Sequence, residues 1–181
     1  MTEPAMTEPV MPGAALSIQP AQAEQEWEVL AWLWQCFRHD LALAVGALPY
    51  ADGRYQAQDL PRAPGEDHVA YLAWRAHPKT GEQAPLGFAV VEGLTGQRRG
   101  LAALWVAPVV RREGLGQQIA LDVLGRHHGP WSIAFQHDNP AAGRFWRGVA
   151  DLAFGSGGWG EQKRPVPQRP DVPPDHWLES R

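Results

Sequence analysis

The stretch from Leu101 to Leu124 constrains the fold of this chain more than any other. Leu101 to Val106 is an apolar run and predicts a buried strand. A bend at Pro108 follows, and Arg111-x-x-Gly114-x-Gly116 then opens a helical pattern, Gln117 to Leu124. A strand, a glycine-containing turn and a helix start in that order make an anion cradle. The first backbone N–H groups of a helix have no partner within it, and the helix dipole favours negative charge there. Glycine lets the backbone approach a phosphate closely. Arg111 and Arg112 add donors suited to a pyrophosphate. The turn is neither the G-x-G-x-x-G dinucleotide fingerprint nor a Walker A loop, which would end in Gly-Lys-Ser/Thr.

A second unit of the same kind follows. Trp131 to Gln136 predicts a strand, Asn139 is a good N-cap, and Pro140 fits the first helical position. Ala142, Phe145 and Trp146 then share a helical face. Upstream, Ala15 to Gln19 suits a first strand. Ala23 to about His39 is helical by periodicity, with Trp27, Leu30, Ala31, Trp34 and Phe37 on one core-facing stripe. Leu41 to Leu48 extends that helix or forms a second. His39 and Asp40 are expected at its C-terminal end, where the dipole alone favours histidine. Pro49 to Asp67 reads as a long loop. Val69 to Trp74, Leu86 to Glu92 and the cradle strand form a three-strand meander, with a turn at Pro78 to Gly81.

Composition sets the class. Hydrophobic residues make up 44% and charged residues 20% of 181, which are globular values. Residues 1–13, with Met-Thr-Glu-Pro at Met1 and again at Met6, are expected to form a disordered tail before a single domain over 14–181. A net charge of −4 disfavours a nucleic-acid partner. No apolar run approaches a membrane span, and the acidic start does not read as a secretory signal. The single Cys36 suits a cytoplasmic location and is expected to be a buried structural thiol. Neither a Cys pair nor H-E-x-x-H is present, so no metal site is expected.

Together, Leu104-x-Val106-x-Pro108-x-x-Arg111-x-x-Gly114-x-Gly116 and Asn139-x-x-Ala142-x-x-Phe145-Trp146 resemble the GNAT superfamily of acyl-CoA-dependent N-acetyltransferases. The resemblance implies an α/β (α+β) fold: a mixed, mostly antiparallel, twisted sheet of six to seven strands with helices on both faces. Its central strands splay at an acetyl-CoA site. The chain's end would supply two antiparallel strands, Trp159 to Arg164 and His176 to Ser180, and dimerisation is common. It also implies acetyl transfer from acetyl-CoA to an amine by direct attack, here a small-molecule acceptor. A non-catalytic acyl-CoA-binding module and a protein acetyltransferase are the alternatives. The Trp105, Val106 and Ala107 backbone would lie beside the cofactor, with the Val106 N–H as oxyanion donor. Arg111, Arg112, Gly114, Leu115 and Gly116 would hold the pyrophosphate. Asn139, Ala142, Phe145 and Trp146 would flank the pantetheine arm.

The general base stays open. No Asp, Glu or His lies between Arg99 and Arg111. Glu92 could reach the cleft through a water, or be a solvated strand end. His137 has a suitable pKa, while Asp138 beside it could serve only the helix start. Many relatives carry Tyr as general acid where this chain has Trp146, and an indole is not a useful acid. Tyr50 and Tyr55, on the long loop, are the candidate acceptor contacts.

Overall fold

A computed structural model describes residues 15–166 and 169–181, so the expected tail lies outside the described residues. Seven strands form one sheet in the order β1-β2-β3-β4-β5-β7-β6. They are β1 (Ser17–Pro20), β2 (His68–Ala76), β3 (Gln83–Glu92), β4 (Arg99–Val106), β5 (Trp131–Phe135), β6 (Trp159–Arg164) and β7 (Asp175–Ser180). Three helices cover it: α1 (Glu24–Val45), α2 (Leu115–Arg126) and α3 (Pro140–Phe154). Every strand pair is antiparallel except β4 with β5. This is the expected mixed, mostly antiparallel sheet.

Alternation along the strands builds two cores. Leu72, Phe88, Val90, Ala103 and Trp105 pack with Trp27, Leu30 and Trp34 of α1 on one face. Ala73, Ala89, Val91, Leu101 and Val106 pack on the other with Ile119 and Val123 of α2 and Val149 of α3. Leu101 and Ala103 would share a face in a regular strand. They do not, because the β3–β4 register jumps from Val90↔Ala103 to Val91↔Leu101, leaving Ala102 as an extra residue. This bulge flips the phase of β4 just before it reaches the cleft.

Helix α1 departs from the expected boundary. It runs unbroken to Val45 and stops at Gly46, whose φ of 63° is the left-handed cap conformation. His39 and Asp40 therefore lie inside the helix, not at its end. Cys36 is exposed rather than buried. At about 100° per residue it points roughly 200° away from Trp34, off the core stripe. Ala31, expected on the core-facing stripe, is also exposed. The long loop docks on α1 by side chains: Gln35 accepts from the Tyr55 N–H at 2.7 Å and donates to the Tyr55 carbonyl at 3.2 Å. The Trp34 indole donates to the Gln56 carbonyl at 2.9 Å.

Candidate functional site

Strands β4 and β5 pair over three residues, Arg99–Leu101 against Trp131–Ile133, and then part. The rest of β4, through Val106, has an edge that β5 does not cover. The direction of one amide there is fixed by geometry. The Trp105 carbonyl faces β3, since a Cβ at Gly87 would lie 2.5 Å from it. Across a trans peptide the Val106 N–H then points the other way, into the splay. The next peptide agrees: Ala107 N–H donates to the Leu86 carbonyl on β3 at 2.8 Å, and the Val106 carbonyl turns outward.

The splay opens a cleft of about 600 Å³. Leu104, Trp105 and Val106 form one wall, and Arg111, Arg112, Gly114, Gly116 and Gln117 the cradle. Asn139, Ala141 and Phe145 close it from α3, and Phe37, Asp40 and Leu41 from α1. Gly114 caps α2 with φ 81°, which a side chain rarely adopts. At Gly116 a Cβ would meet Phe145 and Val106 at 3.5 Å, ordinary contact, so anything longer must project into the cleft. Asn139 accepts from the Ala142 N–H at 3.0 Å, and Pro140 starts α3, as the sequence predicts.

Arg111 is not turned toward the cradle. Its Nε donates to the Val106 carbonyl at 2.8 Å, its guanidinium lies 5.9 Å from the Trp105 ring centre, and its Nη2 donates to Asp40. The Trp105 indole donates to the same Asp40 oxygen, Oδ2, at 2.8 Å. Partial burial pushes the Asp40 carboxyl up, but Arg111 and Trp105 outweigh it and hold it below the ordinary carboxylate range. Arg112 is exposed and holds φ 69°.

Asp40 and Trp105 also line a second space of about 540 Å³, between α1 and the loop. Its other walls include Trp32, Gln35, Cys36, His39, Arg54 and Tyr55. Tyr55 Oη lies 3.4 Å from His39 Nδ1. The two spaces thus meet at a wall made of one carboxylate and one indole.

Several residues expected at the site stand elsewhere. Trp146 is buried in the core beneath α3, and Ala142 packs against that core, leaving Ala141 to face the cleft. Leu115 buries its side chain in the same core but is the first residue of α2, between Gly114 and Gly116. Ala107 spends its N–H on Leu86. Glu92 is exposed and pairs with Gly100, at the end of β4 opposite Val106, so its expected path to the cleft does not exist. His137 is off the cleft as well: its Nε2 is 2.9 Å from Asp138, while Nδ1 is buried and 3.9 Å from Asp175. Tyr55 reaches the second space; Tyr50 is 60% exposed and closes a turn with Gly53 and Arg54. Phe37, Asp40 and Leu41 were missed because no local pattern connects α1 with β4.

The architecture has close counterparts. An acetyltransferase from Thermus thermophilus superimposes with TM-score 0.59 over 93% of this chain and 98% of its own, at 17% identity. Arabidopsis thaliana NAA60, solved with a bisubstrate analogue, gives 0.61 over 92% and 98%, at 12% identity. A GNAT-family acetyltransferase from Staphylococcus aureus gives 0.60 over 92% and 98%, at 14% identity. This chain has the GNAT fold. No family model and no curated protein matches it at the sequence level. No helix among the described residues is long and apolar enough to cross a membrane, and no group of His, Cys, Asp or Glu among them is arranged to hold a metal ion.

Proposed function

We propose that this chain is an N-acetyltransferase that takes acetyl-CoA in the cleft and a small primary amine in the adjoining pocket. The observation that carries this reading is the uncovered edge of β4, with its outward Val106 N–H, running into the Gly114–Gly116 cradle. A backbone edge pairs with an extended amide-bearing arm, and a helix start with glycines suits a diphosphate. The residues present fit that group: Gly116 leaves the cleft open, and Gly114 has nothing within 4 Å of a built Cβ.

Acetyl-CoA supplies an activated thioester carbonyl. The chain's part is to orient it, with the Val106 N–H as a fixed dipole directed at its oxygen. Arg112, Gly114 and Gly116 hold the diphosphate, and Asn139 and Phe145 flank the arm. Tyr55 contacts the acceptor. Trp146 is buried, so its position would supply no acid to a leaving thiolate. Structures of similar fold include a ribosomal-protein-S18-alanine N-acetyltransferase and a spermidine N-acetyltransferase chimera, so the acceptor is read from this chain's own pocket. That pocket is walled by the docked loop, which favours a compact amine over a peptide. The lone Cys36 suits a reducing, cytoplasmic setting.

The test is calorimetric titration of acetyl-CoA into wild type and Gly114→Trp. Binding that the variant loses, followed by thiol release with amines, supports the reading. A folded wild type that does not bind acetyl-CoA sinks it.

A further inference from the structure

We propose that Asp40 is the anchor for the acceptor's ammonium group, occupied by Arg111 in the free chain and released when acyl-CoA binds. The inference rests on the acyl-CoA reading of the cleft. Asp40 is the one carboxylate among the described residues lining either space, and it lines both. It comes from α1, and Arg111 from the cradle 71 residues later. The first residue of the Arg111-x-x-Gly114-x-Gly116 turn is thus held across the wall, away from the anion it is placed to meet.

A competition follows from the charges. A diphosphate in the cradle offers Arg111 more negative charge and more acceptor oxygens than a single carboxylate does. Arg111 spends Nε on the Val106 carbonyl and Nη2 on Asp40, so a guanidinium turned toward the diphosphate gives up the Asp40 contact. Binding of the diphosphate therefore draws the guanidinium off Asp40. The carboxylate keeps the Trp105 indole donor, which holds it in place. It then presents a negative charge no longer paired with Arg111 to a pocket with aromatic walls at Trp32, Tyr55 and Trp105. An ammonium on an apolar or aromatic body suits such walls. Before acyl-CoA binds, the same ammonium meets a neutralised carboxylate with a guanidinium beside it, and Arg54 on the outer side. Cofactor and amine are thus coupled, with the cofactor first.

Titration calorimetry tests this with two probes, acetyl-CoA and S-acetylpantetheine, which lacks the diphosphate. The proteins are wild type, Asp40→Asn, Arg111→Gln and the double variant, each checked by thermal melting. Asp40→Asn keeps an acceptor for Trp105 and removes the charge. It should tighten acetyl-CoA by about fivefold. The gain should vanish in the Arg111→Gln background and be absent with S-acetylpantetheine. A role confined to holding the loop would move both probes alike. If Asp40→Asn leaves acetyl-CoA unchanged or weakens it, the competition is wrong. If folded wild type binds neither probe, the acyl-CoA reading itself fails. The amine half is read by ligand-detected NMR with 2-phenylethylamine. Saturation transfer should appear with coenzyme A present, weaken without it, and disappear in Asp40→Asn. Equal transfer with and without coenzyme A, or none in any state, overturns the anchor.

Discussion

The two spaces that meet at Trp105 are built in opposite ways. The cleft is made mostly of backbone from one short run of chain: the bare edge of β4, a turn, and the start of α2. The pocket is made of side chains brought from α1, the loop and β4, joined by hydrogen bonds that span 20 to 71 residues. A backbone site tolerates wide change in sequence, since every residue but proline supplies an N–H. A side-chain site is rewritten by single substitutions. On the proposed reading, the cleft that takes the cofactor is thus the fixed half, and the acceptor pocket is where the chemistry is individual.

The comparison breaks first at Gly116. Leucine there must fill the cleft, because Phe145 and Val106 already stand at contact distance from a Cβ. Gly116→Leu should weaken acetyl-CoA at least a hundredfold, about 2.7 kcal/mol, with the melting temperature little changed. Calorimetry that finds the affinity intact would remove the diphosphate from the cradle.

A cluster that lines neither space serves as the control. Where α3 meets β6 and β7, Arg147 donates twice to Glu161 at 2.8 Å, and His176 Nδ1 lies 2.5 Å from it. Arg147 is the chief cause that lowers the Glu161 carboxyl from 4.5 to about 2. A lowered folded pKa stabilises above the unfolded value, so this contribution is full above pH 4.5 and is lost as pH falls toward 2. Glu161→Gln should cost about 1 to 2 kcal/mol near neutral pH, allowing for solvent around the half-exposed Arg147. Urea melts should show the gap to wild type closing across that window, with acetyl-CoA affinity equal in both. A loss of affinity would show that the cleft depends on the remote edge.

What could be read from the chain follows the same division. The two strand–helix units were legible because their signals are local: an apolar run, then glycine or an Asn-Pro cap within a few residues. Their contacts follow from chain continuity. The β4 bulge at Ala102 was not legible, since Leu101 to Val106 is apolar throughout and gives no phase to lose. Arg111 was assigned to the diphosphate because the turn alone was in view. Its partner Asp40 lies in a helix where an acid on a half-exposed face is ordinary. Glu92 failed for a plainer reason: alternation fixes the face of a strand residue but not which end of the sheet it occupies. Cys36 sits in a helical pattern but about 200° from Trp34, so the thiol expected in the core faces away from it.

The clamp at Gln35 tests whether the pocket is a side-chain construction. Gln35→Ala removes both hydrogen bonds to the Tyr55 backbone and should lower stability by about 1 kcal/mol. Hydrogen exchange should rise over residues 50–56, where the loop docks, and acetyl-CoA affinity should hold. Protection unchanged in that loop would mean that Trp34 and packing hold it without Gln35.

The smallest effect is the most discriminating. Tyr55 Oη lies 3.4 Å from His39 Nδ1, at the long end of hydrogen-bond range, and both side chains face solvent. Tyr55→Phe should therefore change stability by less than about 0.5 kcal/mol, because exposed hydroxyls exchange one water contact for another. Acetyl-CoA affinity should also stand, since Tyr55 does not line the cleft. What should move is the amine: a raised KM with kcat less affected, if the hydroxyl contacts the acceptor rather than the reacting atoms. An equal fall in kcat and kcat/KM would instead put Tyr55 in the transition state, supplying the proton that the position of Trp146 does not. One residue would then belong to both halves, and the division drawn at Trp105 would shift to the loop.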